Sequence, residues 1–341
     1  MQISSFVSVG ENIHCTRIYK IGGKFCKETE QGTFVINYQT PDGTKQLPVP
    51  EAFTKAPGWE SGKVKHCAVA IWQGFYGEGD AQKSGIDYLQ NLAKRQEAAG
   101  ATYLDINVDE FSTDIEERVK LMKWTVEIVQ QAVTIPMSID SSNTEILQAG
   151  LATCDTSRGR PMVNSVSLER ENAVAIAKSA NAVVIASAAG AESLPETTEG
   201  RMANIDAIYQ ILKAEGYELA DIHFDPLVFP ISTDGQNGVR FLDTVSAIRE
   251  KYGPEVHIVA GLSNVSFGMP NRKLINQVYT YLAVKAGADG GIVDPMQINI
   301  DILNNLDTES VPFKLAENLL LGRDDFGMDY ITASRDGRLN G

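Results

Sequence analysis

Histidine and cysteine are scarce in this chain, four of each among 341 residues. The cysteines, Cys15, Cys26, Cys67 and Cys154, form no C-x-x-C pair and no regular framework. That argues against a disulfide scaffold and reads as idle thiols of a reduced cytoplasm. None of the histidines, His14, His66, His223 and His257, stands at metal-ligand spacing from another histidine or a cysteine, so no metal site is expected. His223 and His257 lie within apolar strand patterns and read as strand or core residues. Basic charge is also short: 30 Lys and Arg face 44 Asp and Glu, a net charge of −14. A field of that sign disfavours nucleic acid and anionic membranes as partners, while local Lys or Arg can still receive a small anion. Residues 1–20 lack the basic-then-apolar order of a secretory signal. The most apolar run, Asn181 to Gly190, is about half the ~20 residues of a membrane span and reads as a buried strand. No G-x-S-x-G elbow supports a serine triad.

What is present is a rhythm. Ile3 to Val9 reads as a first strand, ending at Gly10-Glu11-Asn12, with an irregular stretch to about residue 80 behind it. Within that stretch, apolar segments at 33–38 and 46–49 flank the turn sequence Thr40-Pro41-Asp42-Gly43, which predicts a β-hairpin in an insertion over residues 18–80. Helical patterns then cover 82–99, closed by Gly100, and 143–151, 168–179, 200–215, 236–251 and 271–286. Another helix carries the stripe Ile115, Val119, Met122, Val126 and Val129. Thr113-x-x-Glu116 and Ser142-x-x-Glu145 read as capping boxes. Strands fall at 102–107, 135–139, 161–165, 182–187, 221–225, 257–262 and 290–294. Sustained alternation implies parallel strands. Counting the first strand there are eight, which predicts a (β/α)8 TIM barrel as a single domain over residues 1–341. An open doubly wound sheet is the runner-up, but no glycine-rich turn follows the first strand.

Five of the strand patterns end in a carboxylate or a carboxamide: Asp105-Ile106-Asn107, Asp140, Asn164, Asp225 and Asn264. Strand ends of such a barrel line one mouth, where active sites lie. A carboxylate only accepts hydrogen bonds, so Asp140 and Asp225 suit a ligand edge that offers two N–H donors, such as an amino-pyrimidinone. Asn164 and Asn264 both donate and accept, and suit ring positions that change protonation. Any one of these residues could instead cap the turn that follows it. Gly287-Ala288-Asp289-Gly290-Gly291 reads as a tight helix-to-strand turn in preference to a phosphate cradle. Arg272 opens the helix after Asn264, as a partner for an anionic ligand or ring edge, or as a solvated charge.

Together these segments resemble the pterin-binding methyltransferases. That family includes the methyltetrahydrofolate:corrinoid protein methyltransferases, as in anaerobic O-demethylase and glycine betaine demethylation systems, and the folate domain of cobalamin-dependent methionine synthase. The matching runs are Gly10-Glu11-Asn12-Ile13, residues 105–110, residues 138–143, Val163-Asn164-Ser165, Phe224-Asp225-Pro226-Leu227, residues 261–266 and Asn271-Arg272. The Gly-Leu-Ser-Asn-Val-Ser run is the most specific; the D-P-L and D-x-N matches are shared with dihydropteroate synthases.

The resemblance implies a barrel that holds the pterin of methyltetrahydrofolate. Asp140, Asn164 and Asp225 would bind the pterin edge, and Asn264 would face nitrogen 5, which carries the methyl group. Glu11, Gly261, Ser263 and Arg272 would line the same pocket, with Asp105 and Asn107 less firmly assigned. Asn264, Asp225 and Asp140 would carry the catalysis. Phe267 stands where some relatives have Gln, which puts one polar contact in doubt. The insertion has no counterpart in the family pattern and is expected to make partner or dimer contacts.

The implied reaction is reversible methyl transfer between tetrahydrofolate and the cobalt of a corrinoid on a separate protein, in the cytoplasm, by a homodimer. The chain itself offers no corrinoid-binding module: Asp221-x-His223 has Pro226 where a D-x-H-x-x-G motif requires glycine. Alternatives are a dihydropteroate synthase, which would want a basic pyrophosphate site, and a non-catalytic folate-binding protein.

Overall fold

The apolar runs fold as parallel strands. In the computed structural model, which describes residues 2–339, these are β1 (Val7–His14), β2 (Tyr103–Asn107), β3 (Met137–Asp140), β4 (Met162–Val166), β5 (Val183–Ser187), β6 (Ile222–Asp225), β7 (His257–Gly261) and β8 (Gly290–Val293). Hydrogen bonding in the order β1–β8–β7–β6–β5–β4–β3–β2 closes them into a barrel. The expected (β/α)8 architecture is therefore the observed one. The chain divides into two compact units: Met1–Gly10, Ala99–Thr102 and Met162–Gly341 form the first, and Glu11–Ala98 with Tyr103–Pro161 the second.

The second unit holds β2, β3 and the insertion. Its core is aliphatic, with Ile13, Leu89, Leu104, Ile106, Met122, Val126 and Ile139 fully buried. The predicted hairpin is present: Phe34–Thr40 pairs antiparallel with Gly43–Pro48, and Cys26–Glu28 adds a third strand. A second ribbon joins Ile18–Lys20 to Lys63–Lys65. The helix His66–Tyr76 was not expected, since residues up to about 80 read as irregular. No side chain caps it, and eight of its eleven residues are buried, so it carries neither an N-terminal signal nor a one-sided stripe. It packs on the helix Gly79–Ala98 almost backbone to backbone: a Cβ on Gly85 would sit 2.4 Å from the Gly74 nitrogen.

Both expected capping boxes are displaced by one residue. Asp114, not Thr113, caps the helix Ile115–Gln130, accepting from the Glu116 and Glu117 amides. Asn143, not Ser142, caps Thr144–Thr153. In each case a carboxylate or carboxamide oxygen accepts from two open amides, and the Ser142 hydroxyl is turned onto Asp109 instead. The first strand is likewise shifted, to Val7–His14. Ile3 instead exchanges backbone hydrogen bonds with the Asn304 side chain, at 2.8 and 2.9 Å.

The first unit carries β4 to β8 and the start of β1. Val7 to Gly10 pairs with Gly290 to Val293. Gly290 is required there, because a Cβ would meet the Val7 carbonyl oxygen at 2.5 Å. Gly287 is left-handed (φ +119°) and caps the helix Arg272–Ala286, the tight turn its sequence suggested. Helices Thr198–Ala214 and Asn237–Tyr252 match their expected ranges within two residues. Among the described residues, no helix is long and apolar enough to cross a membrane.

Candidate active site

Asn107, Asp140 and Asp225 end their strands and Asn264 lies in the turn beyond β7, whereas Asp105 and Asn164 stand mid-strand in β2 and β4; the C-terminal strand ends carry the active site in barrels of this kind.

In the second unit, β1, β2 and β3 bring four polar groups together. Asp140, the last residue of β3, accepts hydrogen bonds at Oδ2 from His14 Nε2 (2.8 Å) and Asn107 Nδ2 (2.9 Å). Asp105 is almost fully buried, and its Oδ2 lies 3.8 Å from the same His14 nitrogen. The other His14 nitrogen is 2.8 Å from the Thr16 hydroxyl. Burial pulls the His14 imidazole down, but the hydrogen bond and charge of Asp140, with the charge of Asp105, outweigh it and raise its pKa. Asn107 also caps its own turn through the Asp109 amide. Asp109 in turn receives Ser141 and Ser142, which fixes the loop after β3 against the loop after β2. Glu11 is held by Arg17 at 2.6 Å.

His14, Asp105 and Asp140 each offer one potential ligand atom within 4.8 Å of the others. Two ligands of a common tetrahedral ion stand about 3.3 Å apart, given metal–ligand lengths of about 2.0–2.2 Å. The 2.8 Å contact between His14 and Asp140 is instead that of a shared proton.

In the first unit, Asn164 is half-buried in β4, opposite Ile185 on β5, and the register shifts immediately after it. Such a bulge re-aims a side chain; Ser165, the extra residue, receives the Arg170 guanidinium at 2.7 Å. Asp225 ends β6 and accepts the Leu227 amide at 2.9 Å. Burial pushes its carboxyl up to about 6, against the opposing effects of that amide and of Arg201. Beyond β7, Gly261, Ser263, Asn264 and Phe267 belong to one 3-10 turn and its borders. A Cβ on Gly261 would lie 3.1 Å from Asn264 Nδ2, so the glycine makes room for the carboxamide. Arg272 staples this turn: it donates to the Ser266 hydroxyl (2.9 Å) and the Ser263 carbonyl (3.0 Å), and lies 4.4 Å from the Phe267 ring centre.

Among the residues that hold these groups, His14, Arg17, Arg170 and Arg201 were not singled out in the sequence. The other histidines stand elsewhere: His223 is buried and pushed down to about 3 by burial, stacked on His257, which pairs with Asp289 at 2.8 Å.

Residues 78–294 match the model of a family described as pterin binding enzyme. The chain is 32% identical over 257 residues to the methylcorrinoid:tetrahydrofolate methyltransferase of Eubacterium limosum, a match that covers 74% of this chain and 89% of that protein. Among solved structures it is similar to a dihydropteroate synthase from Stenotrophomonas maltophilia with imidazole in its active site (17% identity, TM-score 0.52, 66% of this chain and 86% of that one). It is also similar to the Xanthomonas albilineans synthase in complex with 7,8-dihydropteroate (19% identity, TM-score 0.51, 64% and 83%). At those identities the likeness to the synthases is one of fold.

Proposed function

This chain belongs to the family of pterin binding enzymes and is a methyltransferase, and we propose that it moves a methyl group between nitrogen 5 of tetrahydrofolate and the cobalt of a corrinoid on a separate protein. The observation that carries the reading is the 32% identity to a methylcorrinoid:tetrahydrofolate methyltransferase across most of both chains. The donor chemistry of the strand ends agrees with it. Asp140, Asn164 and Asp225 bind the amino-pyrimidinone edge of the pterin, two acceptors and one group that does both. Asn264 faces nitrogen 5, and Glu11, Gly261, Ser263 and Arg272 complete the pocket. The structure gives Gly261 and Arg272 a share in setting the Asn264 turn. Asp105, Asn107 and Phe267 border these groups.

A methyl group on a tertiary amine is poorly reactive because the leaving nitrogen would depart as a strong base. When nitrogen 5 is protonated it leaves neutral. The site must therefore favour the protonated form as transfer proceeds, which is differential stabilisation of the transition state. The Asn264 carbonyl can accept the new N–H, and its amide can donate to the unprotonated nitrogen in the reverse direction. On this reading the corrinoid arrives as a substrate, bound to its own protein. A cytoplasmic homodimer acting in anaerobic demethylation belongs to the same proposal, with the insertion at 18–80 as its contact surface; sedimentation of the intact chain and of a variant altered on that surface tests the dimer.

The decisive assay mixes the protein with methyltetrahydrofolate and a reduced corrinoid protein and follows the cobalt(I) absorbance. Loss of that absorbance, dependent on the chain, is expected. Its persistence with every cognate corrinoid protein sinks the reading. A dihydropteroate synthase would need a cationic pyrophosphate site, whereas the Arg272 guanidinium is turned onto Ser263 and Ser266. A folate carrier would bind tetrahydrofolate without turnover.

A further inference from the structure

Two carboxylates approach each other in the second unit, and one imidazole faces both. One oxygen each of Asp105 and Asp140 and one ring nitrogen of His14 lie within 4.8 Å of one another. The nitrogen is Nε2, 2.8 Å from Asp140 Oδ2 and 3.8 Å from Asp105 Oδ2. Like charges at such a separation disfavour each other, so the imidazole N–H offsets the repulsion that Asp105 exerts on Asp140.

The direction of each hydrogen bond follows from its partners. A carboxylate only accepts, so Nε2 donates to Asp140. Nδ1 meets the Thr16 hydroxyl at 2.8 Å, a group that can donate or accept. The bond to Asp140 is therefore available to the neutral ring and to the charged one. Asn107 is set in the same manner: the Asp109 amide donates to its Oδ1 at 3.0 Å, which leaves Nδ2 to donate to Asp140 Oδ2 at 2.9 Å. Two donors thus converge on Oδ2. Asp140 Oδ1 makes no hydrogen bond among the described residues, and the side chain is 23% exposed. The last torsion of an unheld carboxylate is broad and two-fold, so each ligand would have to order it. Here the fold has ordered it beforehand and left one oxygen open.

We propose that His14 is a positioning residue for the folate: with Asn107 it pins Asp140 by Oδ2 against the push of Asp105, so that Oδ1 stays set to accept an N–H of the pterin edge. This role rests on the reading of Asp140 as a pterin ligand. It requires no contact between His14 and the folate, and it makes the effect of His14 on binding depend on the Asp140 carboxylate.

The test is tetrahydrofolate binding by calorimetry for the wild type, His14→Ala, His14→Gln, Asp140→Ala and the double variant with Ala at both positions, each shown to be folded by circular dichroism. His14→Ala should bind roughly three- to tenfold more weakly, the effect of one more side chain to be ordered on binding. His14→Gln should recover most of that loss, because its carboxamide nitrogen falls near the place of Nε2 and can donate to Asp140. Once Asp140 is Ala, the change at His14 should cost nothing further, the non-additivity expected of two residues that act as a unit. His14→Leu carries the same expectation as Ala if the Ala variant does not fold. Wild-type affinity in the Ala or Leu variant overturns the proposal. So does an equal loss with and without the Asp140 carboxylate, which marks an effect through the fold or directly on the ligand, and so does a Gln variant that binds no better than Ala. Wild-type binding by Asp140→Ala would instead remove the pterin reading of Asp140 itself.

Discussion

Asp140 and Asp225 each end a barrel strand, and the protein surrounds them in opposite ways. Asp140 is held by direct donors: His14 and Asn107 both bond one of its oxygens, and Asp105 lies behind the histidine. Among the described residues Asp225 accepts one hydrogen bond, from the Leu227 amide, and burial pushes its carboxyl up to about 6. The first arrangement fixes where a carboxylate points. The second, burial, raises the pH at which the carboxylate gains a proton. The two carboxylates therefore differ in what their own surroundings set: direct donors for Asp140, burial for Asp225.

The largest expected effect lies on neither carboxylate. Asn264→Ala should slow methyl transfer by a factor on the order of 10²–10³, the cost of losing one transition-state hydrogen-bonding group, and weaken tetrahydrofolate binding far less. Equal losses in rate and binding would make Asn264 a binding residue, on a par with the two aspartates. Next come the carboxylates. Asp140→Asn and Asp225→Asn should each weaken folate binding about ten- to hundredfold, since a charged acceptor is replaced by a neutral one. The two should differ in shape: wild-type binding should fall as pH drops through about 6, and only Asp225→Asn should abolish that step. If both variants retain it, the titrating group is not Asp225.

A smaller effect sharpens the Asp140 side. The pKa of His14 is raised in the folded protein, so its protonated form stabilises the fold. That stability is fully present below the unfolded value, about 6.5, and is lost as pH rises through the folded value. His14→Ala should therefore cost about 1–2 kcal/mol in denaturant melts at pH 6 and distinctly less at pH 9. A cost that grows with pH would mean that His14 works as a neutral ring. The smallest effect is a control remote from both aspartates: Asp114→Ala removes a helix cap and should cost about 1 kcal/mol without changing folate affinity.

How much of this was legible varied with sequence distance. The eight strands and the helices between them followed from local period, because each element is decided within ten or twenty residues. The caps were off by one, since Thr113 and Asp114 both accept hydrogen bonds and only local backbone geometry chose between them. The helix His66–Tyr76 was missed because it is buried on most sides and has no polar face to set a period. His14 escaped because its partner Asp140 is 126 positions away. Arg201 escaped because an arginine in the first turn of a helix reads as solvated, and only its environment shows that it is not.

The sequence alone determined the barrel, the order of its strands, and that Asn107, Asp140 and Asp225 end their strands. Hydrophobic period and turn chemistry are local, and right-handed strand–helix units close in sequence order once there are eight of them. Tertiary structure alone decided what holds each polar group: two donors on Asp140, the burial of Asp225, and a glycine that leaves space for Asn264. Those are matters of burial and of contacts between distant residues, and no local pattern encodes them.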